Sequence, residues 1–200
     1  MLRAIRHVIV APGLAGARIA DVAERTGTSA ALVIYYFQSK DNLLTEAIRL
    51  AEDRWFEQGV RRLQAIPDAV GQLEEIVTWI CIPVPDDELP DPWSLWIDLW
   101  ARSQRHPAVA RVRHELDARW RSAITRVVTD GQAAGAYGPT DASEFAIALL
   151  ALRDGLAVQI ELGDPAVDAA FVLRTTMGFA SLSLRFTWAG APPMKAWTGP

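Results

Sequence analysis

The stretch "IADVAERTGTSAALVIYYFQSKDNLL", Ile19 to Leu44, reads as two short helices joined by a tight turn and opening into a third. Ile19, Val22 and Ala23 fall on one helical face, and Gly27 stands where a C-terminal cap is expected. Thr28 or Ser29 can cap the next helix, whose apolar contacts are Leu32, Val33, Tyr36 and Phe37. Ser39 then caps a longer helix in which Leu43, Leu44, Ala47, Ile48, Ala51 and Trp55 recur at spacings of three and four. Upstream, Ile5, Val8 and Ile9 form a short stripe ended by Pro12-Gly13. A supporting helix, two short helices about a glycine turn and a long helix make a helix-turn-helix unit. The second short helix of such a unit is positioned to enter a DNA major groove. Between Thr26 and Lys40 it carries no charge until the terminal lysine, and it carries two adjacent tyrosines.

Outward from this stretch, the chain is 200 residues long, half of them apolar and 22 % charged, which supplies ample core for one or two domains. The formal net charge is −4, yet residues 1–50 set Arg3, Arg6, Arg18, Arg25, Lys40 and Arg49 against Asp21, Glu24, Asp41 and Glu46, a local balance of +2. An anion-facing head on an acidic body fits that asymmetry. Cys81 is the lone cysteine, which excludes an internal disulfide and suits a small buried apolar role. The longest apolar runs, such as "FAIALLAL" from Phe145, fall short of the roughly 20 residues a membrane span needs. No secretory segment opens the sequence, so a cytoplasmic protein without membrane contact is expected.

The same stretch resembles the DNA-binding segment of the tetracycline-repressor (TetR) family, whose pattern is roughly I-A-x-x-A-G-V-S-x-x-x-L-Y-x-Y-F-x-S-K-x-x-L. Val22-Ala23, Gly27, Ser29, Val33, Tyr36-Phe37, Ser39-Lys40 and Leu43-Leu44 fall in register, and Gly13-Leu14 matches the turn after the first helix. The rest of the chain is similar to the family's regulatory domain only loosely, through "WARSQRHP", "GQAAGAYGPTD" and "ALRDGL". The resemblance implies an all-α protein with a three-helix helix-turn-helix head over residues 1–45 and a larger helical-bundle body for effector binding and dimerisation over 46–188. A disordered tail is expected over 189–200.

Carried over position by position, Tyr36 and Lys40 match residues that bind operator phosphate, while Ala30, Ala31, Leu32, Ile34 and Tyr35 occupy the reading surface. No Arg, Gln or Asn stands among those five, so bidentate reading of guanine or adenine is not expected. Thymine-methyl contacts from Ala30, Ala31 or Leu32 and a hydroxyl contact from Tyr35 or Thr28 remain, with Ser29 also counted among the DNA-binding residues. Arg18 sits where the family has a phosphate-facing Thr or Ser, with Ala17 in place of the usual capping Thr, and is an added phosphate candidate. Ile34 stands where a tyrosine is common, which removes one backbone contact. The chain opens within a residue or two of its first helix, so no basic minor-groove arm is expected. The bland alternative makes Tyr36 and Phe37 core and Lys40 a solvated helix-start lysine. That reading is adopted for Phe37 only.

The body begins after a proline-rich break, Ile82 to Pro92. Trp93, Trp96 and Trp100 then line one helical face. The next helix, after Pro107, carries Val109, Val112, Leu116, Trp120, Ala123, Val127 and Gly131 and ends near Gly135. Arg111, Arg113, Arg119, Arg121 and Arg126 on its other face alternate with Glu115, Asp117 and Asp130, a solvated face rather than a second nucleic-acid surface. Eight tryptophans leave two readings open. They fill a helical core, or Trp96, Trp100, Trp120 and Phe145 wall a cavity for a hydrophobic effector, cationic where indole faces attract charge. Asp98, costly to bury unpaired, either pairs with Arg102 or Arg153 or joins Arg153 in holding that ligand.

Asp141-x-x-Glu144 opens a helix that is apolar on every face from 145 to 152, and Phe171, Val172, Phe179, Leu182 and Phe186 follow in the last one. The resemblance implies that these two helices pair with their mates across a two-fold axis, giving a homodimer with Leu149, Leu152, Phe171, Phe179 and Leu182 at the interface. Two heads about 34 Å apart suit a palindromic operator in double-stranded DNA. The expected function is a ligand-responsive DNA-binding transcriptional regulator, a repressor released by a small hydrophobic or cationic effector. The alternative is a dimeric small-molecule- or protein-binding helical protein that has lost operator binding. An enzyme is not expected. Among the histidines only His114, a turn from Asp117, resembles an acid-base pair, and no catalytic order, metal-ligand spacing or phosphate loop is present, so neither a cofactor nor a metal is implied.

Overall fold

The computed structural model describes residues 19–81 and 92–190. The expected first helix, Arg18, residues 82–91 of the proline-rich break and residues 191–200 of the expected tail lie outside the described residues. Among the described residues there are eight helices and no strand: α1 (Ile19–Thr26), α2 (Ala30–Phe37), α3 (Lys40–Gln64), α4 (Ala69–Cys81), α5 (Pro92–Ser103), α6 (Pro107–Ala133), α7 (Ala142–Glu161) and α8 (Ala169–Leu184). None of them is long and apolar enough to cross a membrane.

The chain divides into two compact units, Met1–Arg61 with Pro83–Trp120 and Arg62–Ile82 with Arg121–Pro200. That partition cuts differently from a head over 1–45 and a body over 46–188, because it follows packing and assigns α5 and the first half of α6 to the unit that contains α1 and α2.

In the first unit the signals are local. The α1 helix ends at Gly27, whose φ of +64° lets the chain turn sharply while the Thr28 N–H donates to the Ala23 carbonyl at 2.9 Å. Ser29 caps α2, its Oγ accepting the Leu32 N–H at 3.1 Å, and Ser39 Oγ accepts the Asn42 N–H at 3.1 Å at the start of α3. Val22, Ala23 and Val33 are buried between α1 and α2, which pack together. Leu43 and Ile48 of α3 and Leu99, Val112 and Leu116 of α5 and α6 are also buried.

The second unit is built from α4, α7 and α8, which pack on one another, and from the second half of α6. Asp141 caps α7, accepting from the N–H groups of Ser143 and Glu144, and Asp168 caps α8, accepting from Phe171 N–H at 2.6 Å. The turn between α6 and α7 is tied down by side chains. Thr140 Oγ1 donates to the Ser183 carbonyl at 2.7 Å, and Gln132 Nε2 donates to the carbonyls of Gly138 and Thr140. Tyr137 donates its hydroxyl to the Ala69 carbonyl at 2.6 Å and lays its ring where a Cβ on Gly131 would come within 2.3 Å, so Gly131 leaves room for that ring. Burial, with the Asp68 carboxylate nearby, pushes the Tyr137 hydroxyl well above the ordinary range, so it stays a donor.

One expected interface residue needs correction. Leu149 has no exposed surface, because α7 turns it inward within its own chain. The apolar run from 145 to 152 is therefore two-sided, with Phe145, Ala146, Leu149 and Leu150 buried and Ile147 exposed.

Candidate functional site

Two groups of side chains in the first unit carry chemistry. The first is the surface of α2. Val33 alone among its eight residues is buried, and Leu32, Ile34, Tyr35 and Tyr36 are exposed, the two tyrosines at 78 % and 64 %. Their rings meet edge to face with centroids 5.6 Å apart, forming an exposed aromatic ridge. Ala30, Ala31 and Ser29 are exposed beside them, Thr28 is half-buried, and Phe37 is half-buried in keeping with a packing role. Lys40 is the first residue of α3. A helix this apolar, left open to water and capped at its start by a serine, presents methyl groups, two phenolic hydroxyls and few competing charges, a surface suited to base edges and phosphates.

The second group is an aromatic cluster around a carboxylate. On α3, Glu52, Trp55 and Phe56 lie within one turn. Trp55 and Phe56 meet Trp120 of α6 edge to face, with centroids 5.6 and 4.9 Å away. Trp96 of α5 donates its Nε1–H to Glu52 Oε1 at 2.8 Å and lies 6.1 Å from Trp100. Trp96 and Trp120 are 4 % and 3 % exposed, and Glu52 is buried with them. A carboxylate held in such surroundings carries a desolvation cost that hydrogen bonds or a bound cation offset. At the cluster's edge the Arg119 guanidinium sits 4.4 Å above the Phe56 ring and pairs with Asp53.

Of the expected ligand-binding residues, Trp96, Trp100 and Trp120 are thus brought into one cluster, with Asp98 half-buried on the same helix as the first two. Phe145 and Arg153 belong to the second unit, where Phe145 stacks on Phe179 at 5.7 Å and Arg153 bonds Asp154. Arg102, one partner expected for Asp98, donates to Asp41 Oδ1 at 2.7 Å, and His106 Nδ1 lies 3.2 Å from Asp41 Oδ2. Sequence reasoning missed Glu52, Trp55 and Phe56. The signal was present, since Glu52 interrupts the apolar run between Ile48 and Trp55 at the helical spacing of four and three. The basic face of α6 is neutralised in part, with Arg113 on Asp117 and Arg119 on Asp53.

At the surface of the second unit, Ile147, Phe171 and Leu182 are exposed on α7 and α8, while Leu152 and Phe179 are half-buried. These are more apolar atoms than the two helices cover within one chain.

Comparison with known proteins agrees with this architecture. The family model "Bacterial regulatory proteins, tetR family" matches residues 1–47, and the model "BetI-type transcriptional repressor, C-terminal" matches residues 69–182. The HTH-type transcriptional regulator BetI of Burkholderia lata is 30 % identical over 174 residues, 86 % of each chain. Its namesake in Paraburkholderia phytofirmans is 28 % identical over 186 residues, 92 % of this chain and 91 % of the other. Among solved structures, a transcriptional regulator from Saccharomonospora viridis in complex with choline superposes with a TM-score of 0.79 at 30 % identity, covering 90 % of this chain and 93 % of that one. Bacillus subtilis FadR in complex with stearoyl-CoA shares the fold alone, with a TM-score of 0.70 at 13 % identity over 94 % of this chain and 97 % of that one. With a helix-turn-helix at one end of the chain and family matches over residues 1–47 and 69–182, the protein belongs to the TetR family, carries a BetI-type C-terminal region, and is a DNA-binding transcriptional regulator.

Proposed function

We propose that this regulator is a homodimeric repressor that leaves a palindromic operator when a small organic cation occupies the aromatic cluster of its first unit. The observation that carries the reading is the buried Glu52 carboxylate, bonded to Trp96 and lying on α3 one turn before Trp55 and Phe56, whose rings meet Trp120. Indole faces attract cations by their quadrupoles, and a carboxylate beside them, ionised when a cation enters, adds a charge. A quaternary ammonium, which cannot be deprotonated and has little hydration to lose, suits that combination. Choline in the 30 %-identical structure supports the same ligand class. The fold cannot choose by itself, since one relative in fold carries choline and another stearoyl-CoA.

On the DNA side, Tyr36 and Lys40 take operator phosphates, Ala30, Ala31 and Leu32 meet thymine methyls, and Tyr35 and Thr28 offer hydroxyls. The exposed ridge of α2 supports this assignment. Ser29 acts through its cap, which holds the reading helix in place. Phe171, Leu182 and Ile147, exposed on α7 and α8, support a partner chain on that face, so that two heads read successive major grooves. The effector shifts the protein away from the operator-binding spacing only by its difference in affinity for the two states, and about 1 to 3 kcal/mol of coupling is enough for useful regulation.

The test is a titration of the protein on its selected operator with choline, tetramethylammonium and a long-chain acyl compound, following tryptophan fluorescence and bound DNA together. Quenching and release by the cations support the proposal. Release by the acyl compound alone would sink the cation reading, and quenching without release would sink repression by release.

A further inference from the structure

Five described residues have φ between +56° and +73°, and three of them are Gly27, Gly135 and Gly163. The other two are Gln38 and Arg185, and a non-glycine side chain at such a position is strained. For Arg185 the reason lies inside the chain. Its Cβ and Cδ lie 3.0 Å from where a Cβ on Gly138 would stand, so its aliphatic stem covers that backbone.

Gln38, by contrast, is exposed. It follows the reading helix with φ 62° and ψ −34°. Its N–H donates to the Ile34 carbonyl at 2.7 Å, and the Ser39 N–H donates back to the Phe37 carbonyl at 2.7 Å. That second bond closes a three-residue γ-turn of the rare positive-φ kind centred on Gln38. The backbone is thus accounted for, but the side chain is exposed and makes no hydrogen bond among the described residues. Glycine would hold the turn with less strain. The exposed glutamine amide stands between the exposed Tyr36 and the start of α3 at Lys40, open to a partner from outside the chain.

We propose that Gln38 is a further DNA contact, its Nε2 amide donating to a backbone phosphate beside those taken by Tyr36 and Lys40. The inference rests on the proposal that this face of α2 meets the operator. The turn fixes the direction in which the side chain leaves the backbone, which lowers the ordering that binding requires. A neutral amide displaces no counterion, so it adds affinity without steepening the dependence on salt. Because a phosphate looks the same in every sequence, the contact strengthens operator and random DNA alike.

The experiment compares Gln38→Gly, Gln38→Asn, Tyr35→Ala and Tyr36→Phe in the full chain, on the palindrome enriched from random duplexes and on an unselected duplex pool, each at several salt concentrations and with a thermal midpoint. Gln38→Gly relieves the strained turn, so its midpoint does not fall, yet its affinity drops about 5-fold on both DNAs at an unchanged salt slope, the loss of one neutral hydrogen bond. Gln38→Asn, which tolerates positive φ and keeps an amide, recovers part of the loss. A role confined to shaping the turn moves the midpoint and leaves affinity alone. Wild-type affinity in Gln38→Gly beside weakened tyrosine variants overturns this inference and leaves the interface standing. Wild-type affinity in all four removes the interface and this inference with it. A loss confined to the palindrome makes Gln38 a base reader and overturns the phosphate assignment.

Discussion

The first unit uses aromatic residues in two opposite ways. Tyr35 and Tyr36 stand edge to face in water on an eight-residue helix, while Trp96 and Trp120 are buried against α3, Trp96 on its Glu52 carboxylate and Trp120 on its Trp55 and Phe56 rings. Ring contacts are similar in the two places, with centroids about five to six ångströms apart. What differs is what surrounds them. Exposed rings contribute little to stability and keep hydroxyls free for a partner, whereas buried rings contribute several kcal/mol and create a low-dielectric setting in which one charge matters. Residue type alone therefore does not separate an exposed aromatic ridge from an enclosed aromatic cluster. Burial and the nearest charge do.

The sharpest way to break the contrast is on its buried side. Trp120→Ala empties the space shared with Trp55 and Phe56 and is expected to destabilise the protein by about 3–5 kcal/mol, measured by denaturant unfolding. A loss below about 1 kcal/mol would show that the cluster is loosely packed. Next in size is Glu52→Gln, which keeps an acceptor for Trp96 but removes the charge. Choline affinity by calorimetry should fall about 30-fold, corresponding to the roughly 2 kcal/mol of a charge-assisted contact, with little change in thermal midpoint. Unchanged affinity would return the cluster to a core role.

On the exposed side the effects are smaller and move the other observable. Tyr36→Phe should weaken operator binding about 5-fold through loss of one hydroxyl contact, with stability within about 0.5 kcal/mol of wild type. A large stability loss with unaltered DNA affinity would make Tyr36 a packing residue after all. Smallest is Ser29→Ala, expected to destabilise the head by about 1 kcal/mol through the lost cap on Leu32 N–H, read from the unfolding midpoint. Its DNA affinity falls only as far as α2 frays, so an affinity loss at full helicity would mean that the Ser29 hydroxyl itself touches DNA.

How legible these regions were follows from the range of the interactions that make them. The turn at Gly27 and the caps at Ser29, Ser39, Asp141 and Asp168 each join residues within a few positions, and a local pattern is enough to find them. The bond from Trp96 to Glu52 spans 44 positions and that from Arg102 to Asp41 spans 61. Periodicity marked Trp96, Trp100 and Trp120 as sharing apolar faces, but it could not say which helix would face them, so Glu52 passed as an ordinary helix glutamate. Leu149 failed for a related reason. A run apolar on every face does not reveal which face its own chain covers, and α7 placed Leu149 inside and Ile147 outside.

By itself the amino-acid sequence determined the all-helical class, the helix-turn-helix at the start of the chain and the uncharged, aromatic character of α2, because caps, glycine turns and helical periodicity act over one or two turns of chain. Only the tertiary structure decided that Glu52 lies among the tryptophans, that Leu149 is spent within its own chain, and that Gln38 holds a strained turn with its side chain in water. Those outcomes depend on which distant surfaces meet, and on the backbone angles that result when two capped helices must follow one another across two residues.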